Sequence, residues 1–312
     1  MNTFQPQVLK EVLKGLSRSQ KTIAPKYLYD KKGSEIFEKI CLLKDYYPTR
    51  AEKEILDDHA QEMAKLIGPR ALIIEPGSGA GEKVRQLLPH LEKLVGYVPI
   101  EISNEILYRM TEEIHDEFPK LKVLPVCADF TKELELPQTI GAKKGKRVIF
   151  FPGSTIGNMS PTEALHFLRR MGRLMGHKGG LLIGVDLKKD GDFFKRAYDD
   201  SEGITAEFNL NLLERLNRET EASFEPDSFV HEAFYNEELG RVEMHLKSKK
   251  PQMVKVHETV FRFKEGETIH TENSYKYLPD EFVSLCSRAK LKLVKKWKDH
   301  NQLFCVYYFE KD

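Results

Sequence analysis

Leu72-Ile73-Ile74-Glu75-Pro76-Gly77-Ser78-Gly79-Ala80-Gly81-Glu82-Lys83 is the stretch whose reading decides the fold. An apolar run ends in an acid, three alternate glycines follow, and a helical pattern opens at Glu82-Lys83-Val84. That is a buried strand, a tight turn and a helix, the entry unit of a doubly wound α/β domain. Glycines 77, 79 and 81 leave no Cβ in the turn, so backbone can approach a ligand closely. Their spacing is G-x-G-x-G, not the G-x-G-x-x-G of dinucleotide binders, and a turn that merely packs helix on strand fits the same residues.

Working outward, strands are expected at 71–75, 94–102, 122–127, 147–152 and 180–186, with helices between them, which argues for a parallel sheet. The clearest helix is 161–175, with Ser160 as cap, Pro161 at its first position and Glu163 completing a capping box. Two further strands, 291–297 and 302–309, joined by Lys298-Asp299-His300-Asn301, form a hairpin whose last strand runs antiparallel. Between Asp186 and Pro279 the pattern changes. Ile204, Phe208, Leu212 and Leu216 mark an amphipathic helix, Val242, Met244 and Leu246 alternate with Arg241, Glu243 and His245, and Glu272 and Ser274 share one face of a strand. This is a strand-rich insertion in the sheet. Upstream, Val8, Leu9, Val12 and Leu13 have helical spacing, and a tyrosine-rich loop covers 25–34. Ser34 is expected to cap a short helix, Asp45-Tyr46-Tyr47-Pro48 to break it, and Thr49 with Glu52 to box the next helix through Leu66.

The 312 residues carry 49 Lys+Arg against 48 Asp+Glu, a formal charge of +1, so no basic field points to nucleic acid. No apolar run is long enough to span a bilayer, and Met1 to Gln20 lacks the apolar core of a secretory signal. Cys41, Cys127, Cys286 and Cys305 are scattered, which fits a reducing cytosol, and Cys127 reads as strand core. A cytoplasmic monomer with no nucleic-acid or membrane partner is expected. None of the ten histidines has metal-ligand spacing, so no metal is expected.

Ligands of open α/β sheets bind beyond the carboxyl ends of the strands. Here those ends offer Glu75 with the glycine turn, Glu101 to accept from a ribose diol, Asp129-Phe130 for an adenine amino group and ring face, and Pro152-Gly153-Ser154-Thr155-Ile156-Gly157-Asn158. An adenosine ligand with no phosphate-cradling sequence points to S-adenosylmethionine rather than NAD, and the terminal hairpin resembles the seven-stranded methyltransferase sheet. The expected fold is a doubly wound, Rossmann-like α/β sheet of seven strands with an antiparallel C-terminal hairpin, plus an α+β substrate domain. The boundaries expected are 57–190 with 277–312 for the cofactor domain, and 1–56 with 191–276 for the substrate domain.

Motifs spread over roughly 25–280 carry a more specific resemblance. They include Tyr27-Leu28-Tyr29-Asp30, Tyr46-Tyr47-Pro48-Thr49-Arg50, Ala128-Asp129-Phe130, Gly153-Ser154-Thr155-Ile156-Gly157-Asn158, Ala197-Tyr198-Asp199-Asp200, Phe208-Asn209-x-Asn211, Arg241-Val242-Glu243-Met244 and Thr271-Glu272-Asn273-Ser274. In these the chain resembles the L-histidine Nα-methyltransferases of ergothioneine biosynthesis, which form trimethylhistidine (hercynine). The resemblance implies that Tyr29 closes over cofactor and substrate amine, and that Tyr29, Gly77, Lys83, Glu101, Asp129 and Phe130 contact S-adenosylmethionine. It implies that Asn158 and Tyr198, with Gly153 backbone nearby, hold the amino acid's carboxylate and amine. Tyr46, Glu272 and Ser274 would read the imidazole, with Met244 in the pocket wall. Tyr29 and Asn158 are thus the expected catalytic, positioning pair. Three positions depart from the family pattern: Pro76 and Pro152 replace less constrained residues, and Glu101 stands where aspartate is usual.

Overall fold

The computed structural model describes residues 4–134, 136 and 145–311. In chain order the elements are α1 (Pro6–Leu16), β1 (Lys21–Thr22), α2 (Lys31–Leu42), α3 (Tyr47–Ile67), β2 (Leu72–Pro76), α4 (Glu82–Leu87), β3 (Gly96–Glu101), α5 (Asn104–Glu117), β4 (Val126–Cys127), β5 (Arg147–Phe151), α6 (Pro161–Met175) and β6 (Gly180–Asp186). There follow α7 (Gly191–Tyr198), α8 (Ile204–Thr220), β7 (Phe229–Asn236), β8 (Arg241–Ser248), β9 (Gln252–Val256), β10 (Thr259–Phe263), β11 (Thr268–Tyr275), α9 (Pro279–Arg288), β12 (Leu291–Lys298) and β13 (Phe304–Lys311). They divide into two compact units, one of Met1–Tyr47 with Lys189–Tyr275, the other of Pro48–Lys188 with Lys276–Asp312. The first crossing falls nine residues before the expected 56/57, because α3 is one continuous helix whose Ile55, Leu56 and Met63 belong to the core under β2 and β5.

The larger unit is a seven-stranded sheet in the order β12-β13-β6-β5-β2-β3-β4. β2 pairs in parallel with both β3 and β5, and β13 runs antiparallel against β6 and β12. Its central strands are buried throughout and apolar except for Glu75 and Asp186 near their carboxyl ends, as strands covered on both faces must be. The chain order reverses beside β2, which makes the carboxyl ends of β2 and β5 the switch point where such sheets take ligands. The Ser160–Glu163 capping box starts α6 as expected.

The smaller unit is a four-stranded sheet, β1-β11-β8-β7, with α8 and α7 packed on it, α1 and α2 against α8, and a separate β9–β10 hairpin. Three local expectations are corrected. Asp30, not Ser34, caps α2, because its carboxylate accepts from Gly33 N at 2.8 Å and the helix begins at Lys31. α2 ends at Leu42 and α3 starts at Tyr47, so the break falls where expected, but Glu52 lies inside α3 rather than in a capping box. Cys127 is exposed, not core, because β4 is only two residues long and forms the sheet's edge.

Candidate active site

In the larger unit the glycine turn after β2 is laced to the end of β3. Gly77 N and Ser78 N both donate to Ile100 O (2.7 and 3.2 Å), and Gly79 N donates to Glu101 Oε2 (3.2 Å). Glu101 Oε1 accepts from Ile102 N and Ser103 N, so the carboxylate at this strand end is held in one orientation. Gly77 has φ +71°, and a Cβ there would stand 3.1 Å from the Phe130 ring, so glycine is required both by conformation and by the close aromatic. Phe130 is in turn wedged edge-on against Phe151 and Phe167. Asp129 accepts from Thr131 N at 3.0 Å. The structure therefore brings Gly77, Glu101 and Phe130 to one end of the sheet, with Asp129 next to Phe130.

Beyond β5, Gly153 (φ +82°) and Ser154 (φ 57°) turn the chain into the short helical segment that ends in Asn158. Ser154 Oγ accepts from Asp186 N at 2.9 Å, tying the turn to β6. Two acids here were not assigned to this site by the sequence motifs or were read only as strand ends. Glu52 is 1% exposed and accepts from Gly153 N at 3.0 and 2.9 Å, and its carboxylate pairs with Lys83 Nζ at 2.5 Å. Its sequence signal is an acid three and four residues before Ile55 and Leu56, on the apolar face of a helix. Glu75 is fully enclosed and accepts from Tyr97 Oη at 2.5 Å; burial pushes its carboxyl up to about 8, against partial pulls from the Tyr97 hydrogen bond and then the Lys83 charge.

That shift makes a pH prediction. The folded carboxyl binds its proton up to about 8 whereas the ordinary carboxyl releases it near 4.5, so the stability Glu75 contributes is present below 4.5 and is lost as pH rises to 8. Glu75→Gln is expected to match wild type in thermal unfolding at pH 5 and to exceed it increasingly towards pH 9. Parallel curves at both pH values would sink the claim.

In the smaller unit the tyrosine loop is fastened to α8. Asn211 Nδ2 and Arg218 donate to Asp30 at 2.9 and 2.5 Å, and Arg215 donates to Tyr27 O. Phe208 packs edge-on against Tyr29, with Phe37 completing the aromatic cluster that reaches Tyr46. Met244 and Glu272 are direct partners across β8 and β11, a bulge before Glu272 sets its face, and Ser274 follows two residues on. Glu272 and Ser274 are buried, because Tyr29 stands against Glu272 and Tyr198 against Ser274; β1 pairs with β11 only at Ile269 and His270. Ser274 Oγ lies 2.9 Å from Tyr198 Oη, and Tyr198 meets the ring of Tyr46. Burial first, and then the charge of Glu272, its hydrogen-bonding neighbour, hold the Tyr29 phenol well above its ordinary range; burial does the same for Tyr46. Tyr29, Tyr46, Tyr198, Glu272, Ser274 and Met244 thus form one cluster.

Tyr198 has a support that no motif announced. His231 Nε2 donates to Tyr198 O at 2.8 Å, which leaves Nδ1 to accept from Asn209 Nδ2 at 2.9 Å. Burial lowers the pKa of His231, so this neutral tautomer persists. Asn209 also donates to His245 O, and Asp200 caps α8 through Ile204 N and Thr205 N.

A seven-stranded sheet of this order, with a glycine turn and an acid at the next strand end, defines a methyltransferase fold. A solved S-adenosylmethionine-dependent methyltransferase from Clostridium acetobutylicum superposes with TM-score 0.51 at 12% identity, over 90% of this chain and 98% of that one. The family model described as histidine-specific, S-adenosylmethionine-dependent methyltransferase matches residues 8–311, and the chain belongs to that family. The histidine N-alpha-methyltransferase of Mycobacterium tuberculosis (strain CDC 1551 / Oshkosh) is 38% identical over 296 residues, covering 93% of this chain and 90% of the relative. Ergothioneine biosynthesis protein 1 of Neurospora crassa is 35% identical over 88% of this chain and 32% of its own length.

The residues present fit S-adenosylmethionine. Besides the Glu101 carboxylate and the Phe130 ring against Gly77, Ser78 Oγ is buried in the glycine turn without a hydrogen-bond partner among the described residues. Glu101, Asp129, Phe130 and Lys83 would hold its adenosine and amino-acid ends.

Proposed function

We propose that this enzyme methylates the α-amino group of L-histidine with S-adenosylmethionine, three times, to give the trimethylhistidine hercynine for ergothioneine biosynthesis. The observation that carries the acceptor is the buried pair Glu272 and Ser274 on one face of β11. A neutral imidazole has one N–H and one acceptor nitrogen, and a carboxylate two residues from a hydroxyl matches both. The Tyr198 hydroxyl, 2.9 Å from Ser274 Oγ, holds that serine on the face it shares with Glu272. The family and the similarity to the mycobacterial enzyme support the same acceptor.

The bound cofactor supplies an electrophilic methyl group on its sulfonium, and what the chain must supply is mostly position. Asn158, Tyr198 and the Gly153 backbone hold the amino acid's carboxylate and amine in this proposal, Tyr46 and Met244 wall the imidazole, and Tyr29 contacts the amine. Tyr29 acts as a hydrogen-bonding group rather than a phenolate base, because its phenol is held protonated. Tyr29→Phe is expected to lower kcat by about 10- to 100-fold, the range of one lost catalytic hydrogen bond. The pH profile should keep its shape; loss of an alkaline limb in the variant would instead make Tyr29 a base. A cytoplasmic enzyme is supported by all four cysteines being present as thiols.

The direct test is mass spectrometry of products from purified protein, S-adenosylmethionine and the twenty amino acids in competition. Histidine gaining three methyls supports the proposal. A different methylated amino acid overturns the imidazole assignment and leaves the methyltransferase in place.

A further inference from the structure

We propose that Glu52 is a positioning residue for the cofactor, holding Lys83 and the Gly153 turn and balancing the lysine's charge. The proposal rests on S-adenosylmethionine as the ligand of the larger unit and on nothing about the acceptor. Glu52 projects from α3 into the core, 1% exposed, and reaches two ligand-facing elements at once. Gly153 N donates to both carboxylate oxygens at 3.0 and 2.9 Å, and Lys83 Nζ stands 2.5 Å away in the first turn of α4. Two glycines make room for the arrangement. A Cβ on Gly184 of β6 would lie 2.0 Å from Glu52 Oε1, and a Cβ on Gly153 would lie 3.1 Å from Lys83 Nζ.

A role in folding alone does not account for this acid. A buried ion pair contributes little net stability compared with apolar residues of similar volume. What the carboxylate organises is the switch point itself, the turns that follow β2 and β5. It also sets the sign of the local field. S-adenosylmethionine carries a sulfonium, an ammonium and a carboxylate, a net charge of +1, whereas S-adenosylhomocysteine lacks the sulfonium and is neutral. Lys83 alone would attract the carboxylate and repel the sulfonium. With Glu52 beside it the pair is neutral, and the methyl donor is accepted.

The test is isothermal titration calorimetry of both ligands, which needs no turnover. Glu52→Gln keeps an acceptor for Gly153 N but loses the charge. It is expected to weaken S-adenosylmethionine by about tenfold and S-adenosylhomocysteine by no more than about threefold, as one uncompensated charge near a cation predicts. Adding Lys83→Met should bring the ratio of the two affinities back to the wild-type value. Equal weakening of both ligands, no weakening, or no restoration by Lys83→Met overturns the proposal. If Glu52→Gln does not fold, Glu52→Asp carries the test: it retains the charge, so an altered affinity ratio contradicts the assignment and an unaltered one supports it. Wild-type protein that binds S-adenosylmethionine yet leaves histidine unmethylated would remove the acceptor assignment and leave this one standing.

Discussion

Replacing Glu272 by alanine is expected to lower kcat/KM for histidine by about 10²- to 10³-fold, the cost of leaving a buried hydrogen-bond partner unmatched. Several observations set that size. The carboxylate is 8% exposed, so water cannot readily substitute for it. It sits opposite Met244 across β8 and beside the Tyr29 hydroxyl, which fixes its surroundings. Loss of its charge should also lower the Tyr29 phenol, since Glu272 is one of the groups that raise it. Affinity for S-adenosylmethionine should fall far less than kcat/KM for histidine, because Glu101, Asp129, Phe130 and Lys83 are untouched and only Tyr29 among the proposed cofactor contacts neighbours Glu272. Selectivity should collapse in parallel. The ratio of kcat/KM for histidine over phenylalanine depends on a polar group that an apolar side chain cannot satisfy, and alanine removes that penalty. Glu272→Gln retains one acceptor oxygen and should fall between the two. An alanine variant that keeps wild-type selectivity would show that the imidazole is read elsewhere.

Lys276→Met is expected to destabilise the fold by about 3–5 kcal/mol, the usual consequence of stranding one member of a buried ion pair. Lys276 Nζ lies 2.6 Å from Asp186 Oδ2, and the two side chains are 0% and 1% exposed. The pair joins the end of β6 to the chain just after the insertion, where Tyr277 N also donates to Asp186 O and Lys188 N to Tyr277 O. For a chain of this size the loss corresponds to a fall in Tm of roughly 6–20 °C, measurable by calorimetry. Pairing Lys276→Met with Asp186→Leu removes the stranded charge and should recover most of the loss. If the double variant is no more stable than the single one, packing rather than charge accounts for the effect. Because Asp186 N also holds Ser154 Oγ, the single variant should lose activity beyond its loss of folded protein.

Residues whose meaning lies in their immediate neighbours were legible before any coordinates. The glycine turn declared itself through small residues between an apolar strand and a helix, and the α6 cap through Ser160, Pro161 and Glu163. The two strands of the terminal hairpin were legible from their apolar content. The family motifs added Tyr29, Tyr46, Tyr198, Met244, Glu272 and Ser274, which the smaller unit gathers into one cluster. Periodicity alone favours a solvated edge for Glu272 and Ser274. Tyr29 and Tyr198, both distant in sequence, are what cover them.

The remaining features depend on groups that are distant in sequence and adjacent only through the order of the strands. Glu52 read as half of a capping box because Thr49 is its neighbour in sequence. Its actual partner, Gly153, is 101 positions away. Asp30 displaced Ser34 as a cap because Asn211 and Arg218 of α8 hold its carboxylate in place. Cys127 is exposed because β4 is the last strand of its sheet, a fact of topology that an apolar run does not encode. His231 supports Tyr198 across 33 positions. By itself the sequence determined which segments become strand, turn and helix, since those choices follow from local sterics and a repeating apolar pattern. Only the tertiary structure decided which polar groups are buried and whom they face, because desolvation and hydrogen bonding depend on everything the fold packs around them.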